Sequence, residues 1–122
     1  MCGKSSSISP SRPELSAKGK VVVVTGGGSG IGSSIAKAFA AGGSTKIAII
    51  STEVLAVPAD ITNAGQVNAA FAEIGETFGK INVLNCNSGF LPATQPVLSS
   101  GFDVQEWWTG FTTNVLGALY SV

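Results

Sequence analysis

Val21-Val22-Val23-Val24-Thr25-Gly26-Gly27-Gly28-Ser29-Gly30-Ile31-Gly32 is the stretch on which the architecture turns. Four successive β-branched residues with no polar alternation describe a strand buried on both faces, the signature of a central parallel strand. Beyond the glycines, Ile31, Ile35 and Phe39 recur every four residues, the period of one helix face. Gly42 and Gly43 then end that helix in the manner of a left-handed cap. Strand, glycine turn and helix therefore follow one another without a gap.

Such a turn lets a pyrophosphate approach the backbone and accept hydrogen bonds from amides at a helix N-terminus, where the helix dipole also favours negative charge. No register of the turn spells G-x-G-x-x-G; it spells T-G-x-x-x-G-x-G from Thr25 to Gly32. A nucleoside-triphosphatase loop would need Lys at position 33, where Ser33 stands. The alternative is a tight strand-to-helix turn with no ligand.

Composition narrows the classes further. The 122 residues are 44% hydrophobic, enough for one modest packed domain. Seven basic residues balance seven acidic ones without a basic run, so no nucleic-acid partner is expected. Histidine is absent and Cys2 and Cys86 lie far apart, which excludes His-based triads and indicates neither a metal site nor a disulfide framework. The same lack of a disulfide pattern makes a reducing, cytoplasmic location the plain reading, and no stretch approaches the roughly 18 apolar residues of a membrane span, so no membrane partner is expected. Met1 to Gly19, rich in Ser, Pro and Lys, reads as a flexible leader.

The T-G-x-x-x-G-x-G turn resembles that of the short-chain dehydrogenase/reductase family, and other stretches extend the resemblance over roughly Lys18 to Val122. After apolar runs at Lys46 to Ile50 and Val54 to Val57, Asp60-Ile61-Thr62 looks like the family's D-[VI]-[TS] element, whose Asp contacts the adenine; Asp60 equally suits the start of a turn. Ile81 to Leu84 begins a fourth strand leading to Cys86-Asn87-Ser88-Gly89, which aligns with N-N-A-G, keeping Asn87 and Gly89 and departing at Cys86 and Ser88. Cys86 reads as a small buried residue. Asn114 to Gly117 resembles N-x-x-G, whose Asn helps hold a water for the family's proton relay.

Two helices complete the pattern. Asn63 with Gln66 forms a capping box before Val67, Phe71, Ile74 and Phe78, a core stripe. Asp103 with Glu106 forms another before a final helix over 104–122, whose Trp108, Phe111, Val115 and Leu119 share a stripe that reads as core or interface. Between the second and third apolar runs stand only Ser51, Thr52 and Glu53. A parallel crossover takes about a dozen residues, so the family's helix is expected to be missing here, and the third strand either pairs antiparallel in a hairpin or is malformed. Glu53 lies where an acidic residue reads the adenosine ribose, though a solvated loop carboxylate is the plainer reading.

The resemblance implies an α/β fold, a partial Rossmann-type doubly wound and mostly parallel sheet of about four strands, over 20–122. It implies a nicotinamide dinucleotide, NAD or NADP, held by Gly26, Ser29, Gly30, Ile31, Gly32, Asp60, Ile61, Asn87, Ser88 and Gly89, with Asn114 as the catalytic-site member present. The family's Y-x-x-x-K pair is not carried, since Tyr120 is the only tyrosine and position 124 lies beyond the sequence; Tyr120 reads as a core or interface aromatic. The expected function is a truncated oxidoreductase without hydride transfer. The alternative is a non-enzymatic interaction module that pairs through Trp107, Trp108 and Phe111, by self-association or with a full-length relative. A methyltransferase is disfavoured, because the matches at Asn87 and Asn114 would then be coincidences.

Overall fold

The computed structural model describes residues 6–51 and 57–122. Four strands, β1 (Val21–Thr25), β2 (Lys46–Ser51), β3 (Val57–Pro58) and β4 (Val83–Cys86), form one sheet in the order β3-β2-β1-β4. All three pairings are parallel. Helix α1 (Gly30–Ala41) joins β1 to β2, and α2 (Ala64–Phe78) joins β3 to β4. The sheet is thus the α/β, doubly wound type expected, with the order reversing between β1 and β4.

Strand β1 is buried at every position because both sheet faces are covered. Val22 and Val24 face α1, packing with Ala36, Ile35 and Phe39. Val23 points the other way and packs with Ala48, Ile50 and Val57 against Ala70 and Ile74 of α2. Each fully buried valine contributes about 1.5–3 kcal/mol relative to an exposed one. Helix α1 ends in a Schellman arrangement: Gly43, at φ +96°, donates to Ala40 O, and Ser44 donates to Phe39 O. Ala17 is buried and its amide donates to Gly42 O, tying the preceding chain to this helix end.

The connection after β2 departs from the hairpin expectation. Ile50 pairs with Val57 and Ser51 with Pro58 in parallel register, not antiparallel. The crossover rule assumes that the chain must travel back along a whole strand. Here β3 pairs over two residues at the C-terminal end of β2, so the return is about one residue long. Pro58, lacking an amide hydrogen, suits this edge position. The remainder of the predicted third strand, Val54 to Ala56, lies outside the described residues, as do Glu53 and Cys2.

Other expectations shift on the β4 side. The strand runs two residues later than the apolar run, because pairing with β1 sets its limits and Asn82 is engaged in clamping Val21, whose amide donates to Asn82 Oδ1 at 2.8 Å. Cys86 is exposed rather than buried, since β4 is an outer strand of the sheet. The predicted final helix comprises three successive pieces: α3 (Val104–Phe111), a π-helical turn at Thr112–Leu116, and α4 (Gly117–Tyr120). Its stripe is not core: Trp108 is 57% exposed and Leu119 62%. Tyr120 is half-buried.

Both capping boxes form by half. Asn63 Oδ1 accepts from the Gln66 amide, and Asp103 Oδ1 accepts from the Gln105 and Glu106 amides. The reciprocal side chains go elsewhere, Gln66 Oε1 accepting from the Asp60 amide and Glu106 Oε1 from that of Ala93. These longer-range partners anchor the loops that flank a cleft at the C-terminal edge of the sheet.

Candidate functional site

In an open parallel sheet, the chain leaves two neighbouring strands in opposite directions where the order reverses, and a crevice opens at their carboxyl ends. Here that point lies between β1 and β4. A cleft of about 440 Å³ opens there, within the usual range for small-molecule sites. It is lined by Gly26, Ser29, Gly30 and Ile31 of the glycine turn, Asp60 and Ile61 beyond β3, and Asn87, Ser88 and Gly89 beyond β4. Three separate stretches of sequence, each expected to contact a dinucleotide, are brought to one concavity.

The turn is shaped by its own packing as well as by any ligand. Gly30 has φ +51° and open space where a Cβ would project, so its backbone conformation is what calls for glycine. Gly32 is different. A Cβ there would collide with the Gly26 carbonyl oxygen and come within 2.5 Å of Asn87 Nδ2. Gly32 is buried and does not line the cleft, so its missing side chain is spent on closing the turn against the β4 loop.

Thr25 organises that closure. Its buried hydroxyl oxygen accepts from the amides of Asn87 and Ser88, each at 3.1 Å. Asn87 Nδ2 in turn donates to the carbonyls of Thr25 and Gly26, each at 3.2 Å. Asn87 therefore locks the turn as well as lining the cleft. The role of Thr25 was not singled out from the sequence, although the residue opens the motif; its signal was a lone hydroxyl at the end of an otherwise aliphatic strand.

At the mouth, α1 presents its first turn. The opening amides of any α-helix lack intrahelical acceptors, and the N-cap Ser29 supplies no side-chain cap. Ile31 is 75% exposed, so it leaves the apolar stripe of Ile35 and Phe39 and forms an apolar lip instead. Asp60 does start a turn: its Oδ1 accepts from the Thr62 amide at 2.9 Å and from Thr62 Oγ1 at 2.7 Å. It lines the cleft at the same time. Ile50, Ser51, Ala59, Thr62 and Thr113 also line it without having been anticipated. Thr113 arrives through the π-helical turn, a feature without a plain sequence period.

Asn114 does not line this cleft. Its Oδ1 accepts from the Phe90 amide at 2.8 Å and its Nδ2 donates to Phe90 O at 2.9 Å. Both ends of the carboxamide are thereby committed to the loop after Gly89. The adjoining hollow of about 210 Å³, lined by Pro92, Trp107, Gly110, Phe111, Asn114 and Val115, belongs to the aromatic face. On that face Trp107 and Phe111 meet edge-on at 4.8 Å and Trp108 stacks on Phe111 at 5.5 Å.

The donors fit a dinucleotide: helix-terminal amides for a pyrophosphate, a polar edge at Ser51 and Asp60, and an apolar lip at Ile31. Among the described residues no cluster of three potential metal ligands occurs, and no helix is long and apolar enough to cross a membrane.

The short chain dehydrogenase family model matches residues 20–122. A short chain dehydrogenase of Aspergillus terreus, tazN, is 36% identical over 121 residues, covering 84% of this chain and 26% of that protein. An acetoacetyl-CoA reductase of Synechocystis is 32% identical over 120 residues, covering 88% of this chain and 46% of that protein. The ligand-free aldohexose dehydrogenase of Thermoplasma acidophilum superposes with a TM-score of 0.77 at 31% identity, covering 86% of this chain and 42% of that one. The chain thus spans between about a quarter and a half of the length of these relatives. From Lys20 to Val122 it belongs to the short-chain dehydrogenase family.

Proposed function

We propose that residues 20–122 form a nicotinamide-dinucleotide-binding domain, with residues 1–19 leading into it. One observation carries this reading: the glycine turn, the first-turn amides of α1 and the loops after β3 and β4 converge on one cleft at the strand-order reversal. In this reading Gly26, Ser29, Gly30 and Ile31 hold the pyrophosphate, Asp60 and Ile61 border the adenosine, and Asn87, Ser88 and Gly89 border the nicotinamide half. The dinucleotide, when bound, supplies or accepts a hydride. The chain's own part is to bind and orient it. Asn114 acts by holding the Phe90 loop in place.

These 122 residues by themselves are proposed not to transfer hydride, because they carry no tyrosine with a lysine four residues on. General acid-base help of that kind is worth about 10² to 10⁴ in rate. A cytoplasmic location is part of the same proposal. Thermal melting of the chain with NADH or NADPH at about 1 mM is expected to show stabilisation by mass action; no shift with either would end the dinucleotide reading. Turnover in a carbonyl-substrate screen would end the claim of inactivity.

A second reading has its own observation. Trp107, Trp108, Phe111, Val115 and Leu119 are exposed along one continuous helical run, and large exposed apolar patches mark interaction sites. The chain then self-associates through 104–122, independently of any cofactor. Sedimentation at rising concentration reports it, and a monomer throughout would exclude it.

A further inference from the structure

We propose that the cleft selects NAD over NADP, an inference that rests on the dinucleotide reading above and deepens it. The two cofactors differ by a phosphate on the adenosine ribose, and a site that takes the phosphate needs a cation to hold it, most often an arginine fork. In other proteins of this architecture the ribose is read at the C-terminal end of the second strand, where an acidic residue about 20 positions past the glycine turn binds its hydroxyls. In this chain that corner of the cleft is lined by Ile50, Ser51, Ala59 and Asp60. Among the described residues, Asp60 is the one charged residue lining the cleft, and it is acidic.

Among the described residues, the lysines stand elsewhere, most of them for a topological reason. Lys20 immediately precedes β1, Lys80 lies three residues before the start of β4, and Lys46 is the first residue of β2, its Nζ donating to Phe78 O at 3.3 Å. Because the strands are parallel, their N-terminal ends lie together at the edge opposite the cleft. Five residues of strand separate Lys20 from Thr25, about 17 Å at the usual rise, which exceeds the screening length of about 8 Å in physiological salt. Lys18 sits with them, beside Gly43 at the end of α1. Lys37 is exposed on α1, about 10 Å along the axis from Gly30. Arg12 pairs with Glu14 and donates to Ser7 O.

Residues 52–56, which follow Ser51, contain Glu53 and no basic residue. By sequence, that segment holds no cation that could reach a phosphate here. A neutral ribose hydroxyl meets Ser51 and a carboxylate, both able to accept its hydrogen; a phosphate dianion meets only like charge.

Fluorescence titration of the whole chain with NADH and NADPH at near-physiological salt tests this. NADH is expected to bind at least about tenfold more tightly, one cation-phosphate contact being the missing element. Displacement of bound NADH is a second measure that needs no variant: 5′-AMP is expected to compete, and 2′,5′-ADP to compete at least about tenfold less well. Placing a cation at the corner with Ser51→Arg is expected to raise NADPH affinity about tenfold. Equal affinities, or a preference for NADPH or 2′,5′-ADP in the unaltered chain, overturn the proposal while leaving the dinucleotide reading intact. Binding of neither cofactor defeats that reading, and the proposal with it.

Discussion

The wall of the cleft that carries the glycine turn rises from Val22, Val23, Val24 and Thr25, all closed to water, whereas the opposite wall, Asn87 to Gly89, runs on outside the cleft into exposed Phe90, which two hydrogen bonds tie to the Asn114 carboxamide. Both walls border the same space, yet they obtain their shape differently. The first is set by packing, where any added atom meets another. The second is set by polar contacts within reach of solvent, where water can substitute for a lost partner. The difference teaches that the shape of the cleft depends most on residues that do not line it, Thr25 and Gly32 above all.

That contrast can be broken experimentally, beginning with its strongest point. Gly32→Ala forces a Cβ against the Gly26 carbonyl and Asn87 with no room to yield, and is expected to cost about 3 kcal/mol or more in denaturant unfolding. A loss below about 0.5 kcal/mol would show that the turn is looser than its packing implies. Thr25→Val keeps shape but leaves the Asn87 and Ser88 amides without their acceptor, which is expected to cost about 2–3 kcal/mol and to weaken dinucleotide binding together with stability.

On the exposed wall the effects shrink. Asn114→Ala releases Phe90 on both its donor and acceptor sides, but in an exposed setting, so about 1 kcal/mol is the expected loss. A cost as large as that of Thr25→Val would erase the distinction between the walls. Trp108→Glu is expected to change stability by no more than about 0.5 kcal/mol, because the ring lies outside the sheet's core clusters. The same substitution separates the two functional readings: it should abolish any self-association seen in sedimentation while leaving dinucleotide binding unchanged.

How far the site could be read in advance varies along the chain for physical reasons. Gly26, Gly30 and Asp60 announce themselves because backbone conformation and turn chemistry are local properties, visible in a few neighbouring residues. Ile31 is a partial case. Its spacing assigns it to the apolar stripe with Ile35 and Phe39, and only the way the helix meets the turn leaves it at the cleft instead. Cys86 misleads because small apolar residues are usually buried, and whether a strand is central or outer depends on what pairs with it. The half-formed capping boxes show the same limit, since Gln66 and Glu106 found better partners in loops that are close only after folding.

From its sequence alone this protein is committed to a buried valine strand, a glycine turn and an amphipathic helix in immediate succession, and to a charge distribution with no basic residue between Lys46 and Lys80. Those are properties of neighbouring residues and of composition, so no tertiary contact is needed to establish them. The tertiary structure decided that β3 runs parallel to β2 through a two-residue pairing, that Thr25 and Asn87 clasp the turn, and that Lys20, Lys46 and Lys80 gather at the edge away from the cleft. Each of these joins residues distant in the chain, and only the packing of a parallel sheet determines which distant residues meet.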